Sequence, residues 1–203
     1  MSTQPSRLAV VTTPLPHAPA VASDDALVAR VAAGDLDSLG KLFDRHAEGV
    51  RHFLARLGIS AGDIDDVTQL TFLDVLAVAP KFSARSSVRS WILGIAAMGA
   101  RRHRRSVART FASIASAMFE RGRAAPCTPG ESYDAAETNR RFEAALARLP
   151  IAKREVFVMV TIEGASGEEV AQALDIPVAT VWTRLHHARK ALRAEIFPEE
   201  AQP

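Results

Sequence analysis

The densest set of positioned polar groups lies in residues 166–185, SGEEVAQALDIPVATVWTRL. Val170, Ala171 and Leu174 share one helical face, and Val181, Leu185, Ala188 and Leu192 continue a buried stripe at spacings of 4, 3 and 4. Ile176 plugs the turn between the two segments, and Pro177 suits a helix start, where its missing N–H costs nothing. Ala171 has to be small because the second helix crosses almost on top of it. The pattern is that of a helix-turn-helix. It leaves Ala179, Thr180, Trp182, Thr183, His186, His187 and Lys190 on the outer faces of the second helix, within reach of base edges or phosphates. An ordinary helical hairpin shows similar periodicity and is the competing reading.

A second chemical feature is charge. Residues 24–100 carry 8 basic and 10 acidic side chains, whereas residues 101–109 add five arginines and no acid. Such a cluster offers bidentate donors to an anionic partner. Arginines outnumber lysines 21 to 4 over the whole chain, a bias that codon usage can also produce, so clusters count for more than single residues.

Catalytic constellations are not visible. The chain has neither a Gly-x4-Gly-Lys-Ser/Thr phosphate loop nor a His-Glu-x2-His zinc pattern, and Cys127 lies in a flexible stretch without a nearby histidine. His186 and His187 are adjacent and diverge around a helix, which is wrong for joint metal ligation. His46 sits on an apolar helical face and reads as a core histidine with a satisfied ring nitrogen. No enzyme activity, cofactor, metal or small-molecule substrate is expected. A single cysteine suits a reducing compartment, and the cytoplasm is the default. The longest apolar stretch, residues 91–100, is about half of the roughly 20 residues that a membrane span needs.

Helices must position these groups. Aromatics make up only 6% of the chain, which also lacks the turn-rich signature of a β-sandwich. Leu39, Phe43, Val50, Phe53 and Leu57 recur at 4, 7, 3 and 4, one face of a long helix that Asp37 or Ser38 could cap and Gly58 could end. Further helices are expected over about 63–78, stopped by Pro80, and over 86–105, which begins apolar and ends basic. Residues 110–138, rich in Ala, Ser, Gly, Pro and Thr, read as a linker with some nascent helix around 111–119, after which periodicity resumes. The expectation is an all-α chain. It comprises a flexible tail at 1–22, a helical domain at 23–109, a linker at 110–138, a helix-turn-helix domain at 139–196 and a tail at 197–203.

Beyond the helix-turn-helix itself, the motifs Leu149-Pro150, Arg154-Glu155-Val156-Phe157, Glu163-Gly164, Glu169-Val170-Ala171, Ile176-Pro177-Val178, Thr180-Val181 and Arg184-Leu185-His186-His187-Ala188-Arg189-Lys190-Ala191-Leu192 resemble region four of bacterial RNA polymerase sigma factors. The group is the extracytoplasmic-function (ECF) group of the sigma-70 family. The first half resembles region two of the same group through Gly34-Asp35, Leu42-Phe43, Asp65-Asp66-Val67-Thr68-Gln69-Leu70-Thr71-Phe72 and Ser90-Trp91-Ile92-Leu93-Gly94-Ile95-Ala96. Both matches fall in the family's order. Asp175 and Ala179 stand where glycines are common, Trp182 and Thr183 where Lys and Ser are frequent, Ala97-Met98 where an Arg-Asn pair is frequent, and Arg101 where Asp is common.

The resemblance implies a dissociable specificity subunit that brings core RNA polymerase to promoter DNA, double-stranded and melted, under the control of an anti-sigma factor. It assigns Asp65, Asp66, Gln69, Leu70 and Leu73 to the polymerase-binding surface, with core packing as the alternative for Leu70 and Leu73. Arg85, Arg89, Arg101, Arg102, Arg104 and Arg105 would neutralise phosphates near the −10 element. Trp91 could stack on an unpaired base, although its apolar neighbours favour burial. On the −35 side, Arg184, Arg189 and Lys190 would lie near the backbone and Thr180, Thr183 and His187 near base edges, with Ala179 and Trp182 on the same side. Two other readings are a stand-alone DNA-binding regulator, which leaves the 65–73 surface without a task, and a decoy that titrates a regulator and binds no DNA.

Overall fold

Short-range capping and apolar spacing set the first elements of the computed structural model, which describes residues 22–115 and 133–197. Helix α1 (Asp24–Ala32) is capped by the Ser23 hydroxyl and buries Leu27, Val28 and Val31. Sequence periodicity did not single it out, since nine residues give too few turns for a clear apolar stripe. Helix α2 (Leu36–Arg56) buries Leu42, Val50, Phe53 and Leu54. Its cap is Asp35 rather than Asp37 or Ser38: one Asp35 carboxylate oxygen accepts from the Asp37 and Ser38 amides at 3.0 and 3.3 Å. The other accepts from the Ser38 hydroxyl at 2.8 Å, which turns that residue from a cap into a support for the cap. His46 Nε2 lies 2.8 Å from an Asp24 oxygen and ties α2 to α1, the structural role expected of it.

After α2 the chain reverses at Gly58, whose φ of +82° favours glycine. The position is also crowded, because a Cβ there would lie 2.9 Å from Arg154 Nη1. Helix α3 (Ile64–Val78) passes into a 3-10 turn, Ala79–Lys81, that contains Pro80. Phe43 of α2 meets Phe72 of α3 edge-on at 4.9 Å. Helix α4 (Val88–Ala115) runs ten residues beyond the expected end at Arg105, since no Gly or Pro interrupts residues 106–115.

The second half begins with helix α5 (Tyr133–Arg148), six residues before the expected 139. Helix therefore extends into both ends of the 110–138 stretch. Helix α6 (Ile151–Phe157) passes into a π-helical turn, Val158–Ile162, followed by α7 (Gly167–Leu174) and α8 (Val178–Ile196). Among the described residues there is no strand, and no helix is long and apolar enough to cross a membrane. Of the tails expected at 1–22 and 197–203, residues 1–21 and 198–203 lie outside the described residues, as does Cys127 with the rest of 116–132.

The two halves pack on each other, with α7 lying against α4. Within the first half, Phe53, Leu54 and Leu57 are fully buried beneath α1, α3 and α4. Truncating a buried Phe leaves a cavity as well as losing its transfer energy. Phe53→Ala is expected to lower unfolding stability by about 3–5 kcal/mol, read as a fall in the urea midpoint with little change in slope.

Candidate functional site

The helix-turn-helix forms as its spacing predicts. Ser166 caps α7 by accepting from the Glu169 amide at 3.2 Å, and Glu169 reciprocates by accepting from the Ser166 amide at 2.9 Å. Val170, Ala171 and Leu174 are buried against α8, whose own stripe is Val181, Leu185, Ala188 and Leu192. Asp175 takes the left-handed conformation, φ +53°, that ends α7. Asp tolerates this better than most side chains, so the turn survives without glycine.

The outer face of α8 is open. Ala179, Trp182, Thr183, His187, Arg189 and Lys190 are exposed, and Thr180 and Arg184 half-buried. Two residues are committed locally. The Thr183 hydroxyl donates to the Ala179 carbonyl at 2.9 Å, leaving its oxygen free to accept. The Trp182 indole lies over the start of α7, where a Cβ on Gly167 would come within 3.0 Å of the ring. Trp182 is still 49% exposed, so it presents an aromatic edge beside the recognition face rather than a free-standing stacking surface.

On the first half, Asp65, Asp66, Gln69, Leu70 and Leu73 all face solvent. Leu70 and Leu73 are 56% and 58% exposed, which decides against core packing for both. Asp65 is held by the Arg51 guanidinium at 2.7 Å. Beside this face the structure adds residues that apolar spacing by itself places on a core stripe, Leu39 and Phe43 among them. A cleft of about 460 Å³ is lined by Leu36, Leu39, Gly40 and Phe43 of α2 and by Gln69, Phe72 and Leu73 of α3. Periodicity alone does not separate cleft lining from core, since both are apolar at helical spacing, and only the folded chain shows Leu36 exposed.

The arginines expected to meet phosphates behave differently from one another. Arg85, Arg102, Arg104 and Arg105 are exposed, with Arg102 paired to Asp74 and Arg104 donating to the Leu57 carbonyl. Arg89 and Arg101, however, are engaged by the second half. Arg101 grips Glu155 with two donors, its Nε at 2.7 Å, and this pairing holds the guanidinium even more firmly protonated than usual. Arg89 pairs with the Glu163 carboxylate and donates to its carbonyl. Trp91 is half-buried and packs against Phe82, ring centroids 4.8 Å apart.

Arg154, Glu155, Glu163 and Glu169 were not expected at this junction. Arg154 is buried and donates to the carbonyls of Leu57, Leu149 and Ala147, and its Nε has no partner among the described residues. Burial, followed by the nearby Arg104 charge, lowers its pKa to about 10, so it remains cationic at neutral pH. Glu155 is wholly buried, and a buried carboxylate requires a cation partner, which Arg101 supplies. No cluster of metal-ligating residues occurs among the described residues.

Residues 139–192 match the profile of sigma-70 region 4, and residues 42–110 match that of sigma-70 region 2. The chain is 33% identical over 194 residues to the ECF RNA polymerase sigma factor SigC of Mycobacterium tuberculosis, covering 89% of this chain and 97% of that protein. The chain belongs to the sigma-70 family, in its ECF group. It is also 27% identical over 183 residues to the ECF RNA polymerase sigma-E factor of Escherichia coli, covering 87% and 95% of the two chains. Among solved structures it is similar to CnrH in complex with the cytosolic domain of CnrY, with TM-score 0.61, 26% identity, and 88% and 99% of the two chains covered. The Bartonella quintana sigma factor RpoE, solved with the anti-sigma factor NepR, shares the fold at TM-score 0.62 and 20% identity, with 77% and 95% covered. As a member of this family the chain directs RNA polymerase to promoters.

One group at the junction titrates in an informative range. Hydrogen bonds from the Ser166 amide and then the Ser87 amide lower the Glu169 pKa from 4.5 to about 2. A depressed carboxylate stabilises the fold fully above its unfolded pKa and loses that contribution as pH falls through the folded value. The thermal midpoint of the sigma factor is therefore expected to fall between about pH 4.5 and 2. Glu169→Gln should show a shallower fall over that window when scanned beside the parent chain.

Proposed function

We propose that this sigma factor docks core RNA polymerase through the α2–α3 cleft and engages promoter DNA with two separate faces. The observation that carries the reading is the exposed apolar cleft with an acidic margin, Asp65 and Asp66, on one side of the first half. Exposed leucines on a folded chain are costly unless a partner covers them, and a rim of carboxylates suits a basic apolar-lined partner surface. Leu36, Gln69, Leu70 and Leu73 are the anchors in this assignment, and Asp66 supplies charge at the rim.

In the same reading, residues 23–109 form the polymerase and −10 unit and residues 139–196 the −35 unit. Arg189 and Lys190 meet phosphates, which sets register and orientation on the duplex, while Thr183 and His187 address base edges. The substitution of Trp182 for a common cation exchanges a salt-sensitive phosphate contact for an apolar one, so affinity on this side should depend less steeply on salt. The chain carries no catalytic group of its own, acts in the cytoplasm with polymerase, and is a candidate for restraint by an anti-sigma factor, as the solved relatives CnrH and RpoE are complexed with CnrY and NepR.

Affinity for purified core polymerase tests the docking surface without knowledge of the promoter. Leu73→Glu and Gln69→Ala should each weaken binding, the former by at least about tenfold, as expected for truncating an interface anchor. Unchanged affinity in both variants would transfer the task to another surface. For the DNA face, Thr183→Ala should change the relative use of two promoters by about fivefold, the worth of one hydrogen bond of about 1 kcal/mol. A uniform loss across unrelated sequences would contradict base-edge contact.

A further inference from the structure

The α2–α3 cleft is open in the folded chain, and its apolar walls face water. Leu36 is 64% exposed and Leu73 58%, with Leu39, Gly40, Phe43 and Phe72 lining the space beside them. From Leu36 to Phe43 the α2 wall covers seven residues of helix, about 10 Å at 1.5 Å per residue. Asp65 and Asp66 form the acidic margin at the start of α3. Arg51 already holds Asp65, which leaves Asp66 to an incoming cation. The chain enters α1 close by. The Ala22 carbonyl accepts from Arg45 Nη1 at 2.8 Å, and Asp24 pairs with Arg45 and His46, so the point from which residues 1–21 depart is fixed against the middle of α2.

We propose that residues 7–11, Arg7-Leu8-Ala9-Val10-Val11, occupy this cleft in the free chain and compete with core polymerase for it. The inference rests on the docking reading of the cleft. Residues 1–22 contain no Asp or Glu, Arg7 is their one Lys or Arg, and Leu8 to Val11 is their longest uninterrupted apolar run. Extended, those four residues span about 13 Å, close to the length of the cleft. With Leu8 toward the start of α3, Arg7 reaches Asp66, and the apolar side chains cover leucines that otherwise stay wet. A cation beside an apolar run is also what the cleft asks of polymerase.

The segment is long enough to arrive. Eleven residues separate Val11 from Ala22, up to about 36 Å of extended chain, whereas Arg45 lies nine residues from Leu36, about 14 Å along α2. The run therefore reaches either end of the cleft, although the chain departs from the α1 side of the helix. Tethering makes docking intramolecular, at an effective concentration in the millimolar range, so a contact too small to hold a free peptide is enough. Pro14, Pro16 and Pro19 fix φ near −65° and reduce the entropy lost when the tether is ordered. A cleft covered about four-fifths of the time raises the apparent Kd for polymerase about fivefold, and a partner with a full-size interface still displaces the segment.

Leu8→Asp combined with Val10→Asp in the full chain removes the apolar run and sets negative charge against an acidic margin. With helix content equal to the parent's by circular dichroism, the double variant should bind purified core polymerase at least about fivefold more tightly. Contact is read directly by placing the photoreactive residue benzoylphenylalanine at position 11, in place of Val11, and locating its cross-links by mass spectrometry. Cross-links within one chain to residues 36–43 or 66–73 are expected, and the two aspartates should abolish them. Equal polymerase affinity in parent and variant, cross-links to other segments, or none at all would each overturn the proposal. Cross-links between chains, detected by mixing isotope-labelled and unlabelled protein, would give the cleft to a second copy and overturn it as well. Failure of the docking reading shows separately: Leu73→Glu would then leave polymerase affinity unchanged, which ends the competition, while the cross-links still decide whether the segment fills the cleft.

Discussion

The arrangement of the molecule depends on α4 being buried along two sides at once. Its apolar segment, including Ile92, Leu93, Ile95, Ala96, Ala97 and Ala100, is almost wholly removed from water. One side completes the core made by α1, α2 and α3, and the other receives α7. A helix can approach another closely only where side chains are absent or small, and Gly94 facing Ala173 supplies that condition at the centre of the crossing. A side chain at Gly94 would collide with the Ala173 backbone at the present spacing.

Around that crossing the polar groups satisfy one another across the divide. The Leu57 carbonyl at the end of α2 accepts from both Arg104 of α4 and Arg154 of the second half. Glu163 follows the π-helical turn and receives Arg56 and Arg89. π-Helical turns cost hydrogen-bond geometry and are kept where the displaced residues have work to do. Here the turn buries Val158 and Met159 in the second half's core while leaving Glu163 at the junction. Glu169 serves twice, as half of the α7 capping box and as acceptor for Ser87 of the first half, so the start of the helix-turn-helix is tied to the other half through a single carboxylate.

Function follows from which faces remain open. Apolar side chains of α2 and α3 stay exposed around a cleft, a condition that a soluble fold sustains when a partner is available to cover them. The outer face of α8 is likewise unobstructed. The α4 stripe is the exception, engaged internally by acidic residues of the chain itself.

Much of this was legible in the sequence. Apolar spacing gave α2, α3 and α8, the residues between α7 and α8 identified the turn, and motifs in two places identified the family. Those features depend on neighbours within a few turns of helix, which is the range over which spacing and capping act. The sequence also marked the exposed acidic and polar positions of α3, because charged groups near a helix start stay in water. Whether Leu39 and Phe43 line a core or a cleft was not decided by their spacing. Nor was the fate of the arginines, since Arg101 and Glu155 are 54 residues apart and only packing brings them together. Capping chose Asp35 over its neighbours because side-chain geometry, not residue type, selects among three possible acceptors. Tertiary structure alone decided that the two halves close on each other, because that contact requires a glycine, an alanine and several opposite charges to meet at distances the linear order does not encode.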